Sequence, residues 1–218
     1  MGGGMAAAGG TASTDAGVSL AMTFFVTSKG MGKGGDLRGD AGTADGLAGA
    51  DAFCRSLANA VHPTLGAKTW RAYLSTSTVA ARSRIGPGPW VNAKGVTIAT
   101  SAANLHDEGG MNALSLTNTL DETGAQVPAS GGMNVHDILT GASLDGGIVP
   151  MGNCENWTSS DRGLVGGEQP RVGHSNRMGG GQVPTSWNSA HAAAGCAESG
   201  VGSVRSGGGR GSFYCFVP

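Results

Sequence analysis

Apolar positions fall into helical or strand-like order in four stretches of the 218-residue chain, and turn formers interrupt the pattern between them. Met22-Thr23-Phe24-Phe25-Val26-Thr27 is a compact β-prone run bounded by glycine-rich sequence, which predicts a strand. From Asp45 to Val61 the residues Leu47, Ala50, Phe53, Cys54, Leu57, Ala58 and Val61 recur at helical spacing, with Asp45 as the expected N-cap. Thr69 to Ser75 alternates large with small or polar side chains, as a half-buried strand does, and Ser212 to Val217 predicts a terminal strand. Residues 76–152 hold only short runs at Trp90-Val91-Asn92 and Val96-Thr97-Ile98, so long loops are expected there, with an insertion at about 99–150. Residues 1–20 are mostly Gly, Ala, Ser and Thr, with little to bury. They read as a flexible arm ahead of one domain spanning 21–218.

Composition sharpens this picture. The chain has 41 glycines, only 13% charged and 5% aromatic residues, and a hydrophobic fraction of 39%, much of it alanine, which buries little area. Cys54, Cys154, Cys196 and Cys215 are an even, sparse set with no C-x-x-C pair. They read as two staples formed in an oxidising compartment rather than as a zinc ribbon. Four cysteines allow three connectivities, and spacing does not choose among them. A formal charge of -1 gives no footprint for nucleic acid or an anionic membrane. No apolar run approaches the roughly 18 residues of a membrane span. The expected location is secreted, periplasmic or cell-surface, with a leader removed.

Candidate chemistry is sparse. Of the histidines His62, His106, His136, His174 and His191, two stand in His-Asp pairs, His106-Asp107 and His136-Asp137, within the long-loop region. Converging loops would let two imidazoles with carboxylates hold zinc or copper, or orient a general base. The competing reading is that adjacent His and Asp in polar loops are solvated or capping residues, since no H-x-x-x-H or H-E-x-x-H spacing is present. Gly179-Gly180-Gly181 and Gly207-Gly208-Gly209 lack the Lys-Ser/Thr ending of a phosphate loop and read as turns. No G-x-S-x-G elbow is present. Arg38-Gly39-Asp40 is treated as a chance tripeptide. The sequon Asn156-Trp157-Thr158 matters only in a eukaryotic secretory pathway.

The order of a Phe-Phe-Val strand, a helix bearing Cys54, Trp70-Arg71-Ala72-Tyr73-Leu74-Ser75, Cys154-Glu155-Asn156-Trp157, Cys196 and a final Tyr214-Cys215 resembles the C-type lectin-like superfamily. It is most similar to the endostatin-like branch and to bacterial surface lectin-like domains. The resemblance spans about residues 22–218. It implies an α+β, loop-rich fold with a small antiparallel sheet and one or two helices, and nested disulfides, Cys54 with Cys215 and Cys154 with Cys196. It also marks Trp70, Arg71, Tyr73, Glu155, Trp157 and Tyr214 as structural. The calcium-dependent sugar motif is incomplete, because Trp187-Asn188-Ser189 lacks the final Asp and no Pro tripeptide precedes Cys154.

The expectation is therefore a non-catalytic extracellular module, not an enzyme, that contacts a protein or glycan through its long loops. Trp90, His106, Asp107, His136, Asp137, Trp187 and Asn188 form its expected binding surface. No cofactor is expected, and calcium and zinc are left open. One alternative is an accessory subunit of an extracellular assembly, homo- or hetero-oligomeric, held through residues 1–20. Another is a metal-dependent enzyme using the His-Asp loops.

Overall fold

Helix α1, Gly46–Val61, begins where its cap predicts: Asp45 is extended and its side chain accepts from the Leu47 amide at 2.8 Å. It ends at His62, whose amide still donates to the Ala58 carbonyl and whose imidazole then caps a short helix α2, Pro63–Gly66. The buried stripe of α1 is Leu47, Ala50, Cys54, Leu57 and Ala58. Gly49 lets the helix lie against the chain at Leu37, since a Cβ there would come within 2.0 Å of the Leu37 carbonyl oxygen. A further short helix, α3, spans Ala102–Leu105, and a 3₁₀ turn spans Ala81–Arg84. The computed structural model describes residues 14–15, 17–39, 45–130, 133–162 and 167–218. Most of the expected N-terminal arm, and Asp40 of the Arg38-Gly39-Asp40 tripeptide, lie outside the described residues. Val18, near the end of that arm, is buried in the core.

The main sheet has six strands: β1 Phe24–Val26, β2 Arg71–Ala72, β3 Asp137–Leu139, β4 Arg171–His174, β5 His191–Ala192 and β6 Gly209–Phe216. Its order is β5-β4-β3-β6-β1, with β2 also paired to β6. The last half of β6 pairs antiparallel with β1 and β2, Cys215 facing both Phe25 and Ala72. Its first half runs parallel to β3. The fold is thus α+β with several helices and a mixed sheet, larger than the small antiparallel one expected. The difference arises because β3 comes from the stretch at 99–150, which carries no alternation long enough to announce a strand.

Period-two alternation sorts the sheet residues into two cores. Phe25, Ala72, Leu139, Val172, Phe213 and Cys215 join the α1 stripe, Trp70 and Trp157 on one face. Phe24, Val26, Ile138, Tyr214 and Phe216 join Tyr73, Trp90, Ile98, Leu105 and Trp187 on the other. The indoles of Trp70, Trp90 and Trp157 and the hydroxyl of Tyr214 are satisfied. The Trp70 indole donates to the Leu65 carbonyl, Trp90 to Val217 and Trp157 to Ser75, while the Tyr214 hydroxyl donates to the Trp187 carbonyl. Arg71 and Arg84 both reach the Asp51 carboxylate, at 2.7 and 2.6 Å, and fasten α1 to β2 and the 3₁₀ turn.

Two disulfides close the framework. Cys54–Cys215 joins the centre of α1 to β6 across 161 residues, and Cys154–Cys196 closes a nested loop of 42. Cys154 opens a left-handed turn in which Cys154, Glu155, Asn156 and Trp157 all have φ between 50° and 65°. Such a conformation costs non-glycine residues roughly 1–2 kcal/mol each, so it needs strong outside support. Glu168 supplies it by accepting from the Asn153 and Glu155 amides, Asn153 accepts from Asn156, and the Trp157 side chain is wholly buried. Glu155 itself is exposed.

Candidate metal centre

Three neighbouring strands bring four side chains to one spot at the end of the sheet. Asp137 begins β3, His174 ends β4 and faces it in register, and His191 begins β5 opposite Val172. Alternation puts all three on the face shared with Leu139 and Val172, and His136 immediately precedes Asp137. The Nε2 atoms of His136, His174 and His191 lie 3.3, 3.4 and 3.5 Å from a single atom, Asp137 Oδ1. The His136 and His174 rings stack with centroids 4.5 Å apart, and His191 meets His174 edge-on at 5.0 Å.

The hydrogen bonds at the far side of each ring set its tautomer. His174 Nδ1 lies 2.7 Å from the Pro184 carbonyl and His191 Nδ1 2.9 Å from the Ala192 carbonyl, so each must be the N–H donor. His136 Nδ1 faces Asn176 Oδ1 at 3.1 Å, and that same oxygen accepts from the Met178 amide, which fixes it as an acceptor. In the neutral rings every Nε2 therefore presents a lone pair to Asp137, itself an acceptor. Among the described residues, four buried side-chain atoms lack a hydrogen-bond partner, and Asp137 Oδ1 and His174 Nε2 are two of them.

The distances choose between an ion-pair cluster and a coordination site. Charge-assisted N–H···O bonds run at about 2.7–2.9 Å, well under the separations here. A tetrahedron with metal–ligand bonds of about 2.0–2.1 Å has edges of about 3.3–3.4 Å, which matches them. The ligand atoms of His136, Asp137 and His174 all lie within 4.8 Å of one another, and all three residues are buried. His191 stands outside that set, with a quarter of its side chain exposed against 1% for His174. Burial holds His174 below its ordinary value, whereas the Asp137 carboxylate draws His191 above it. Asp137 Oδ1 is thus buried among three imidazole nitrogens with no hydrogen bond to any of them, an arrangement that is costly unless a further group satisfies it.

Glycines make the surrounding space. A Cβ on Gly208 would lie 3.2–3.3 Å from His136 Cδ2, His136 Nε2 and Asp137 Oδ2, and one on Gly179 would come within 2.9 Å of both the His136 and His174 rings. Both have positive φ, at 137° and 140°. The two glycine tracts are turns, and they border the cluster. A groove of about 920 Å³ between α1, α2 and β2, lined by Arg55, Lys68, Arg71 and Arg84 among others, includes none of the cluster residues.

A scan of the chain against protein-family models gives no match, and a search of curated proteins gives none either.

The expected absence of catalytic potential is overturned by this cluster. The solvated reading of His136-Asp137 also fails, because both residues are buried. The broad binding surface is not assembled either: Trp90, His106, Trp187 and Asn188 are core residues, 0–8% exposed. With so few aromatics in the chain, both tryptophans are needed inside. The second His-Asp pair divides. His106 Nε2 contacts the Tyr73 hydroxyl at 2.7 Å, and Asn188 donates to the same hydroxyl at 3.1 Å. Asp107 instead binds Arg177 at 2.7 Å, latching its loop to the turn that carries His174 and Asn176. His174, His191 and Asn176 are absent from the sequence-derived site. Their only signal is the strand run Arg171-Val172-Gly173-His174 ending on a histidine.

Burial also depresses His106, offset in part by its bond to the Ala102 carbonyl. The folded state thus binds fewer protons there than the unfolded chain, so its stability is complete above the ordinary histidine value of 6.5 and falls as pH drops through it. Urea midpoints in chelator at pH 8 and pH 5.5 should drop less for His106→Gln than for the wild type. Equal drops would remove His106 from the acid response.

Proposed function

We propose that this protein is a metal-dependent hydrolytic enzyme in which His136 Nε2, Asp137 Oδ1 and His174 Nε2 hold a divalent ion of the zinc type. The observation that carries the reading is the partnerless, buried Asp137 Oδ1 ringed by imidazole lone pairs at tetrahedral-edge distances. Two imidazoles and one carboxylate are a ligand set used by catalytic zinc and non-haem iron sites. A divalent ion there supplies a Lewis acid and lowers the pKa of bound water toward about 7. The chain's own residues do the positioning. Pro184 and Asn176 orient the two rings, and Asp137 supplies the neutralising charge. Gly208, with no side chain beside His136 Nε2 and Asp137 Oδ2, leaves room for a reacting group.

The wider reading is a C-type lectin-like framework acting outside the cytosol on a glycan or protein. Two disulfides, the α1-to-β6 staple and the Cys154–Trp157 turn support it. Among the described residues no helix is long and apolar enough to cross a membrane.

The test uses p-nitrophenyl acetate, a small activated ester that reports an activated water without presuming the natural substrate. Zinc-loaded protein should hydrolyse it faster than chelated protein, zinc should restore the rate, and His174→Ala should not respond. A rate that is the same with and without metal would remove the enzymatic reading.

A further inference from the structure

We propose that His191 is a fourth, displaceable ligand, which closes the coordination sphere at rest and gives way to an oxygen-donor group of the substrate. This rests on the metal reading above and adds to it the manner in which the site opens.

Two observations make His191 a ligand. Its Nε2 is 3.5 Å from Asp137 Oδ1, the same kind of separation that His136 and His174 show, and its Nδ1 bond to a carbonyl leaves Nε2 as the free lone pair of the neutral ring. An imidazole placed this way, against a carboxylate oxygen that has no donor, is oriented for a shared cation rather than for a direct bond.

Three others make it the ligand that leaves. It falls outside the mutually close set formed by His136, Asp137 and His174, so its nitrogen must approach further to complete a tetrahedron. Its side chain is 25% exposed, against 9% for His136 and 1% for His174, so water and solutes reach it first. Its anchorage is also local. His174 is tied to Pro184 and His136 to Asn176, each on a separate stretch of chain, whereas His191 Nδ1 bonds only to the carbonyl of its own neighbour Ala192. Such a bond restrains the ring no more firmly than β5 itself is restrained, and β5 is a two-residue strand at the sheet edge.

Gly181, at φ 96°, passes so close that a Cβ would sit 2.9 Å from His191 Cβ and Cδ2. The ring is thus bordered by bare backbone, with no interlocking side chain on that side. An incoming carboxylate, hydroxamate or hydrated carbonyl oxygen, as a hard donor, suits the ion that an imidazole vacates. Displacement makes and breaks only coordinate bonds, so no oxidant, reductant or co-reactant enters the balance.

The experiment is cobalt(II) substitution read by visible absorption, with acetohydroxamate as the oxygen-donor probe. Wild type should take up Co²⁺ and show the intense bands of a four-coordinate ion. His191→Ala and His191→Gln should still bind Co²⁺, about 10–100-fold more weakly, the scale on which outer partners of a site act, with weaker bands as water fills the position. Acetohydroxamate should convert the wild-type spectrum and bind more tightly to His191→Ala, where nothing must be displaced. His174→Ala should lose the spectrum altogether. Thermal melts in chelator establish that each variant is folded. A His191→Ala spectrum and affinity equal to wild type would show that His191 is no ligand. Complete loss of binding, as in His174→Ala, would show that it is a fixed one. Failure of the wild type itself to bind Co²⁺ would overturn the metal reading instead.

Discussion

Asp137→Asn will stabilise the metal-free protein and abolish its metal affinity. In chelator the wild-type carboxylate is buried against three imidazole nitrogens, with Oδ1 bonded to nothing. Leaving such a group unsatisfied costs about 1–3 kcal/mol or more, whereas an amide N–H at the same place can donate to an Nε2. The variant should therefore melt higher by about 2–4 °C for each kcal/mol recovered. Its zinc affinity should fall by more than the about 10–100-fold typical of outer-shell changes, because a charged ligand is gone. Opposite signs for stability and binding are the mark of a site kept for function at the expense of the fold. Calorimetric melts in chelator and zinc titration of both proteins measure the two effects. A variant that melts lower than wild type in chelator would mean that Asp137 is held by something other than a cation.

The double variant Cys54→Ala/Cys215→Ala should fail to hold the native fold at physiological temperature. A bridge closing 161 residues removes chain entropy worth about 5 kcal/mol, as large as the whole stability of many domains at about 5–15 kcal/mol. The glycine content raises the stake, because each glycine gives up more freedom on folding. Cys154→Ala/Cys196→Ala, with its 42-residue loop, should cost about 4 kcal/mol and release the left-handed turn that begins at Cys154. Urea denaturation of the three proteins should rank them in that order. A Cys54→Ala/Cys215→Ala midpoint close to wild type would show that the α1-to-β6 packing is sufficient without the bond.

How much of this was legible in the sequence depends on the reach of each pattern. Helix α1 was legible because Asp45 and a seven-residue apolar stripe act within a few residues of one another. Strand β6 was legible for the same reason. The functional cluster was half legible. His136-Asp137 stands out as a dipeptide, but its partners arrive 38 and 55 residues later, on strands of four and two residues, with no periodicity to relate them. Only the pairing of β3 with β4, and of β4 with β5, brings them together. The tryptophans misled for a compositional reason. In a chain with few aromatics and much of its apolar count in alanine, Trp90 and Trp187 look available for a surface, yet the same shortage of bulk draws them into the interior.

Where Gly179, Gly181 and Gly208 replace side chains with bare main chain, an arriving molecule is met by peptide amides and carbonyls, which are the same in every protein and cannot be retuned by substitution without adding bulk. If the cluster acts on a substrate, the backbone at these three positions would sort molecules by width and shape. An engineer wishing to change what enters would therefore start with the loops that carry these glycines.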